Sequence, residues 1–188
     1  MQHEEIQALA IEYGYQQQHK EPLNIGRPHR FAVGPTSKDV LRWHLDSRGG
    51  LIELFRQSWH RNSAVDGDGI VRQAYISTTQ PDVVKGWHLH AHQTDRFVCI
   101  RGRVLLATYD LKGVSSAVSC QVLEPKRGAS CVSVPPGVAH GWIALGGEES
   151  WILNLCSHEY DGTDEWRRDP DIGPIDEIPF DWRLRRDG

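Results

Sequence analysis

From residue 38 onward, hydrophobic positions recur in short bursts separated by turn-forming residues. Leu41-Arg42-Trp43-His44-Leu45 alternates apolar with polar, and Asp46-Ser47-Arg48-Gly49-Gly50 then turns the chain into Leu51–Arg56. Asp66-Gly67-Asp68-Gly69 marks a loop ahead of Ile70–Ser77, and Pro81-Asp82 breaks that run. Further bursts span 85–102, 103–111, 118–123, 129–134, 142–145 and 151–156, with Pro135-Pro136-Gly137 a strong turn among them. Runs of this length, divided by Gly and Pro, predict an all-β sandwich or barrel.

The two ends of the chain break that rhythm. Ile6, Ala8, Leu9, Ala10, Ile11 and Tyr13, set among Glu and Gln, predict an amphipathic helix that runs into the polar stretch Gln16–Lys20, with Pro22 as its latest end. Pro22, Gly26, Pro28, Gly34 and Pro35 make residues 21–37 an extended connector. The last 30 residues read as a short helical or irregular tail. Residues 1–37 are therefore expected to be an N-terminal arm and connector, and residues 38–188 a single domain.

Composition narrows the function. A chain of 188 residues can bury one good-sized core. The formal net charge of -4 argues against nucleic-acid binding, which needs a concentrated basic face. No run approaches the ~18 apolar residues needed to cross a bilayer, so no membrane partner is expected. The start Met1-Gln2-His3-Glu4-Glu5 lacks the basic and apolar segments of a signal peptide, so the cytoplasm is the expected location. Cys99, Cys120, Cys131 and Cys156 show no C-x-x-C spacing and are expected as reduced, mostly buried thiols.

The chemistry concentrates in one stretch. His88, His90 and His92 alternate with apolar residues, so an extended strand would point all three to one face. Three imidazoles on one face mean proton transfer or metal binding.

Two segments match the cupin pattern. One is His88-x-His90, Asp95 and Gly102; the other is Pro135-Pro136-Gly137-Val138-Ala139-His140. The resemblance implies a double-stranded β-helix, a jelly-roll barrel whose mouth unites the histidines of both segments. A closer likeness covers most of residues 46–182. Asp46-x-Arg48-Gly49 with Glu53, Gln73-Ala74-Tyr75-Ile76-Ser77, Lys85-Gly86-Trp87-His88, Pro135–Trp142 and Trp166-Arg167-Arg168-Asp169-Pro170 resemble, in order, motifs of the dTDP-4-dehydrorhamnose 3,5-epimerases.

That resemblance implies an isomerase acting on a dTDP-4-keto-6-deoxyhexose, without a cofactor, as a homodimer. Its ketone acidifies the C–H bonds at C3 and C5. Epimerisation needs a base, a cation for the enolate and a donor on the other ring face. The resemblance makes His88 the base, Asp169 its partner carboxylate and Arg96 the enolate's cation. It assigns Arg48, Glu53, Gln73, Lys85 and His140 to substrate binding or support. The family's tyrosine acid falls at Asn154, which has no proton to give at neutral pH; Tyr75, in place of a family asparagine, could enter from another wall. His90 replaces a family glutamine. With His88, Asp95 and His140 it restores the ligand set of metal-binding cupins, so a divalent transition metal and an oxygenase or isomerase activity form the alternative. A non-catalytic module that binds nucleotide sugars is a third reading.

Overall fold

The computed structural model describes residues 3–18, 29–33, 36–40, 43–56, 71–113, 117–125 and 131–183. Among these, one helix and fourteen strands build the chain. The helix is α1 (His3–Glu12), followed by β1 (Gln16–Gln17), β2 (His29–Val33), β3 (Thr36–Val40), β4 (Trp43–Asp46) and β5 (Gly49–Arg56). Next come β6 (Gln73–Thr79), β7 (Val84–Leu89), β8 (Asp95–Arg101), β9 (Val104–Asp110) and β10 (Ser119–Leu123). The last four are β11 (Cys131–Val134), β12 (Val138–Ala144), β13 (Ser150–Cys156) and β14 (Trp166–Arg167). The expected loop at 66–69 and much of the connector lie outside the described residues, as do the side chains of 52–56.

Two antiparallel six-stranded sheets carry the domain. Sheet A runs β1-β14-β7-β12-β9-β10 and sheet C runs β11-β8-β13-β6-β5-β4, while β2 and β3 form a separate hairpin. Phe97, Cys99 and Ile152 of sheet C meet Val104, Leu106, Leu123 and Trp142 of sheet A in an interior cluster. This is the jelly-roll arrangement expected from the sequence. The indole N–H of Trp142 crosses between the sheets to Thr79 Oγ1 at 3.0 Å.

Sheet A also buries its outward face. Trp87, Leu89, Leu105, Tyr109 and Ile143 pack there with Ala10 and Tyr15 from the N-terminus and with Ile175, Phe180 and Trp182 from the tail. Ala10 and Tyr15 of the expected arm thus pack against the domain. The helix ends earlier than its polar continuation implied. Tyr15 N donates to Ala10 O and Gly14 N to Ile11 O, a Schellman closure with Gly14 at φ 73°. That turn frees Gln16 and Gln17 to pair with β14. The tail holds turns and a bridge between Ile175 and Ile178, with no helix among its described residues. Of the four thiols Cys99 and Cys156 are buried, but Cys120 and Cys131 are exposed. No described helix is long and apolar enough to cross a membrane.

Trp182 joins the tail to sheet A. It lies 4.9 Å from the Trp87 ring and 4.8 Å from Phe180, and its indole donates to Pro170 O at 3.0 Å. Trp182→Ala should cost about 3–5 kcal/mol, from lost burial and the cavity left behind, read as a lower urea midpoint.

Candidate functional site

The site begins with an irregularity in β7. His140 of β12 pairs with His88, but Trp142, two residues on, pairs with Lys85, three residues back. The extra residue is a bulge that shifts the phase of side-chain alternation. Lys85 and His88 therefore both serve the interior although their spacing is odd, while Trp87 and Leu89 turn to the outward cluster. Gly86 and Gly141 make the close approach possible, since a Cβ on Gly141 would sit 2.8 Å from the Gly86 Cα.

Past β7 the strand ends, and the three histidines part company. The Asp164 carboxylate accepts the amides of Ala91, His92 and Gln93 at 2.7–3.2 Å, which bends the chain. His90 keeps to the interior. His92 instead stacks on His3 of α1, ring centroids 3.7 Å apart. The expected common face of all three imidazoles is corrected here, because the extended backbone it assumed stops at Leu89.

Asp95 opens β8 with 1% exposure and gathers the site around it. Its Oδ1 accepts from Gln93 Nε2 at 2.7 Å and from Asn154 Nδ2 at 2.8 Å. Its Oδ2 lies 3.4 Å from His90 Nε2 and 3.3 Å from His140 Nε2. The His140 contact is close but not aligned as a hydrogen bond, so this buried nitrogen is left without a hydrogen-bond partner. Burial alone would raise the Asp95 pKa, but His90, His140 and the Asn154 amide hold it well below the usual carboxylate range.

Both imidazoles are oriented from behind. His90 Nδ1 faces the Asp164 carbonyl at 2.9 Å and His140 Nδ1 the Val138 carbonyl at 3.1 Å. A carbonyl oxygen only accepts, so each Nδ1 carries its hydrogen and each Nε2 is turned to the carboxylate. Two lone pairs cannot rest against an ionised carboxylate. Protons on the imidazoles or a cation must lie between them. His90, Asp95 and His140 offer one ligand atom each, all within 4.8 Å, a donor set that suits a divalent transition metal. His88, the fourth ligand of the expected set, stands outside this group.

His88 occupies the neighbouring wall, half-buried, with its ring 5.8 Å from His140 and 6.2 Å from Trp142. Burial, then the charges of Arg167, His140 and His90, push its pKa well below the ordinary imidazole value, while Asp95 acts the other way. Burial therefore favours the neutral form of His88. Asp169 is not brought to it: that residue is exposed, and its carboxylate accepts the Asp171 amide at 2.9 Å in a turn just past β14. Arg96 is also turned away. Asp95, Phe97 and Cys99 share the inward face of β8, so strand alternation sends Arg96 outward, where its Nη1 reaches Leu155 O at 3.4 Å.

The remaining expected residues spread along the barrel. Lys85 Nζ donates to Ser77 Oγ at 3.0 Å and to Thr78 O at 2.6 Å. Arg48 is exposed at the β4–β5 turn and pairs with Asp46 at 2.6 Å, near enough for its charge to act on Lys85. Gln73 is buried, and its Oε1 accepts the Tyr160 amide at 2.7 Å. Glu53 lies on β5 opposite Tyr75, its side chain outside the described residues. Tyr75 faces the interior, its Oη accepting from Asn154 Nδ2 at 2.8 Å. The sequence does not mark Asp164, because nothing in a lone Asp 74 residues after His90 announces the three amides it accepts.

Burial, then the Arg48 charge, lowers the Lys85 pKa to about 8. The folded chain then gives up this proton near pH 8, while the unfolded chain holds it to 10.5. Between those values the unfolded state binds more protons, so stability should rise with pH. Below pH 8 both states are protonated and the burial penalty is constant. Urea midpoints of wild type, taken relative to Lys85→Met, should climb from pH 8 to 10.5 and stay level from 6 to 7.5.

Comparison with known proteins gives the family. The chain matches the dTDP-4-dehydrorhamnose 3,5-epimerase family over residues 40–174. It is 32% identical over 144 residues to the probable low-salt glycan biosynthesis epimerase Agl13 of Haloferax volcanii, covering 75% of this chain and 84% of that protein. Among solved structures, the dTDP sugar isomerase of Desulfovibrio desulfuricans aligns with a TM-score of 0.54 and 22% identity, covering 77% of this chain and 88% of that one. The capsular polysaccharide assembling protein CapF of Staphylococcus aureus aligns with a TM-score of 0.57 and 17% identity over 70% of this chain. This chain spans 35% of the CapF chain. The structural likenesses establish the jelly-roll fold, and the sequence matches establish descent: the chain belongs to the dTDP-4-dehydrorhamnose 3,5-epimerase family, a family of sugar epimerases.

Proposed function

We propose that the protein epimerises a nucleotide-linked 4-keto-6-deoxyhexose at a carbon next to the ketone, with His88 as the base. One observation carries the reading: the half-buried His88 imidazole stands on the interior wall beside the His90–Asp95–His140 group, its ring 5.8 Å from that of His140. Neutral His88 can accept a carbon-bound proton. Asp95, the carboxylate whose charge acts on it, then takes the supporting part that the resemblance gave to Asp169. Lys85 and the exposed Arg48 supply positive charge for the diphosphate. The reaction needs no cofactor.

The homodimer expected from the resemblance has an apolar surface available to it. On the outward face of sheet C, Ile100 is 40% exposed, and Val98, Leu153 and Leu155 are half-buried beside Arg96.

A second reading rests on the convergence of two imidazole nitrogens and a carboxylate. A divalent transition metal would be held by His90, Asp95 and His140, and would supply Lewis-acid polarisation of a carbonyl. His88 then remains a proton acceptor beside it.

Incubation with a dTDP-4-keto-6-deoxyhexose in deuterated water should place deuterium at C3 or C5, detected by NMR. His88→Asn should slow that exchange by about 100-fold or more while the protein stays folded by circular dichroism. Binding without any exchange would leave only a binding module. Chelator-treated protein, verified metal-free by mass spectrometry, should keep its exchange rate. A loss of activity restored by one added metal would shift the assignment to the second reading.

A further inference from the structure

Inverting a carbon requires that the proton lost on one face be replaced on the other. His88 belongs to sheet A, and a donor must stand across from it. We propose that Tyr75, on β6 of sheet C, is that donor and is a catalytic residue; this rests on the epimerase reading above.

Strand register puts it there. β13 lies between β8 and β6, with Asn154 opposite Phe97 on one side and Tyr75 on the other. Asn154 is wholly buried and its hydrogen bonds are all committed. Nδ2 donates to Tyr75 Oη and to Asp95 Oδ1, both at 2.8 Å, and Oδ1 accepts the Arg96 amide at 3.0 Å. Asn154 therefore holds the phenol oxygen but cannot take its hydrogen. Among the described residues no other group accepts it, and the O–H is left for the interior. Asp95, Asn154 and His140 are buried to 1% exposure or less, whereas Tyr75 and His88 are both half-buried. The two half-open groups stand on facing sheets, over a closed polar floor.

The phenol is also kept loaded. Burial, with the charges of Cys156 and Asp95, holds its pKa well above the ordinary tyrosine value, and the Asn154 amide pulls the other way. Tyr160 is the obvious rival in sequence, but its hydroxyl is engaged with Glu165.

The step balances without an oxidant or reductant. The C–H bond beside the ketone breaks, His88 takes the proton and the electron pair moves onto the ketone oxygen. The enolate then returns that pair to carbon, forming a new C–H bond with the Tyr75 proton on the opposite face. A phenolate and an imidazolium remain. The Asn154 N–H stabilises the phenolate until solvent reprotonates it, and the imidazolium gives its proton back to solvent.

The position of Asn154 supplies the decisive variant, because a phenol there would enter the same space from the neighbouring strand. In deuterated water, wild type should yield inverted, deuterated product. Tyr75→Phe should lose inversion by about 100-fold or more, yet its recovered substrate should gain deuterium with retained configuration, since His88 can still remove and return a proton. The double variant Tyr75→Asn/Asn154→Tyr should regain inversion, and Tyr160→Phe should behave as wild type. Undiminished inversion in Tyr75→Phe overturns the proposal. So does loss of exchange along with inversion, with no recovery in the double variant, which marks a structural tyrosine. A wild type that exchanges no carbon-bound proton removes the epimerase reading and this one together, whereas an active wild type with an unimpaired Tyr75→Phe removes this one alone.

Discussion

An ionised carboxylate kept out of water governs this molecule. Burying such a charge costs several kcal/mol unless partners replace its hydration, and Asp95 finds its partners on three separate segments. His90 and Gln93 come from the connection between β7 and β8, Asn154 from β13 and His140 from β12. Those segments belong to both sheets. The spacing of the sheets and the geometry of the site are therefore one problem, since any slip between them would strand the charge. The neighbouring Trp142–Thr79 bond and the Phe97–Trp142 contact at 5.3 Å fasten the sheets beside it.

Much of the barrel was legible in the sequence because its cause is local. Alternating apolar positions and Gly or Pro turns mark strands wherever they fall, and the interior cluster of Phe97, Leu106, Trp142 and Ile152 is the expected result. The meeting of His90, Asp95 and His140 followed from two short motifs. The misplaced residues share a different origin. Arg96 was matched by its charge, but its face is decided by its distance from Asp95, an odd step along a regular strand. His92 was projected along a strand that Asp164 ends. Asp169 sits in a turn whose local amide satisfies it first.

Other features lay beyond a linear reading. The bulge in β7 depends on how β12 pairs with it, more than 50 positions away, and two glycines allow it. The facing of Tyr75 and Asn154 depends on register between strands 79 residues apart. Neither position is unusual alone. Only strand pairing turns an unmatched tyrosine and an unmatched asparagine into a bonded pair beside Asp95.

The outward face of sheet A has one more consequence. Both chain termini are spent on it: α1 and Tyr15 cover one part, and Phe180 with Trp182 another. The hydroxyl of Tyr15 donates to Pro174 O at 2.9 Å, and Arg168 bonds both the Tyr13 carbonyl and Asp176, so the ends are also sewn to each other. Beginning and end thus close like a clasp behind the wall that carries His88. A chain shortened at either end would uncover indole and leucine surface and become adhesive, and the wall carrying His88 would lose its backing before any residue in the cavity had changed.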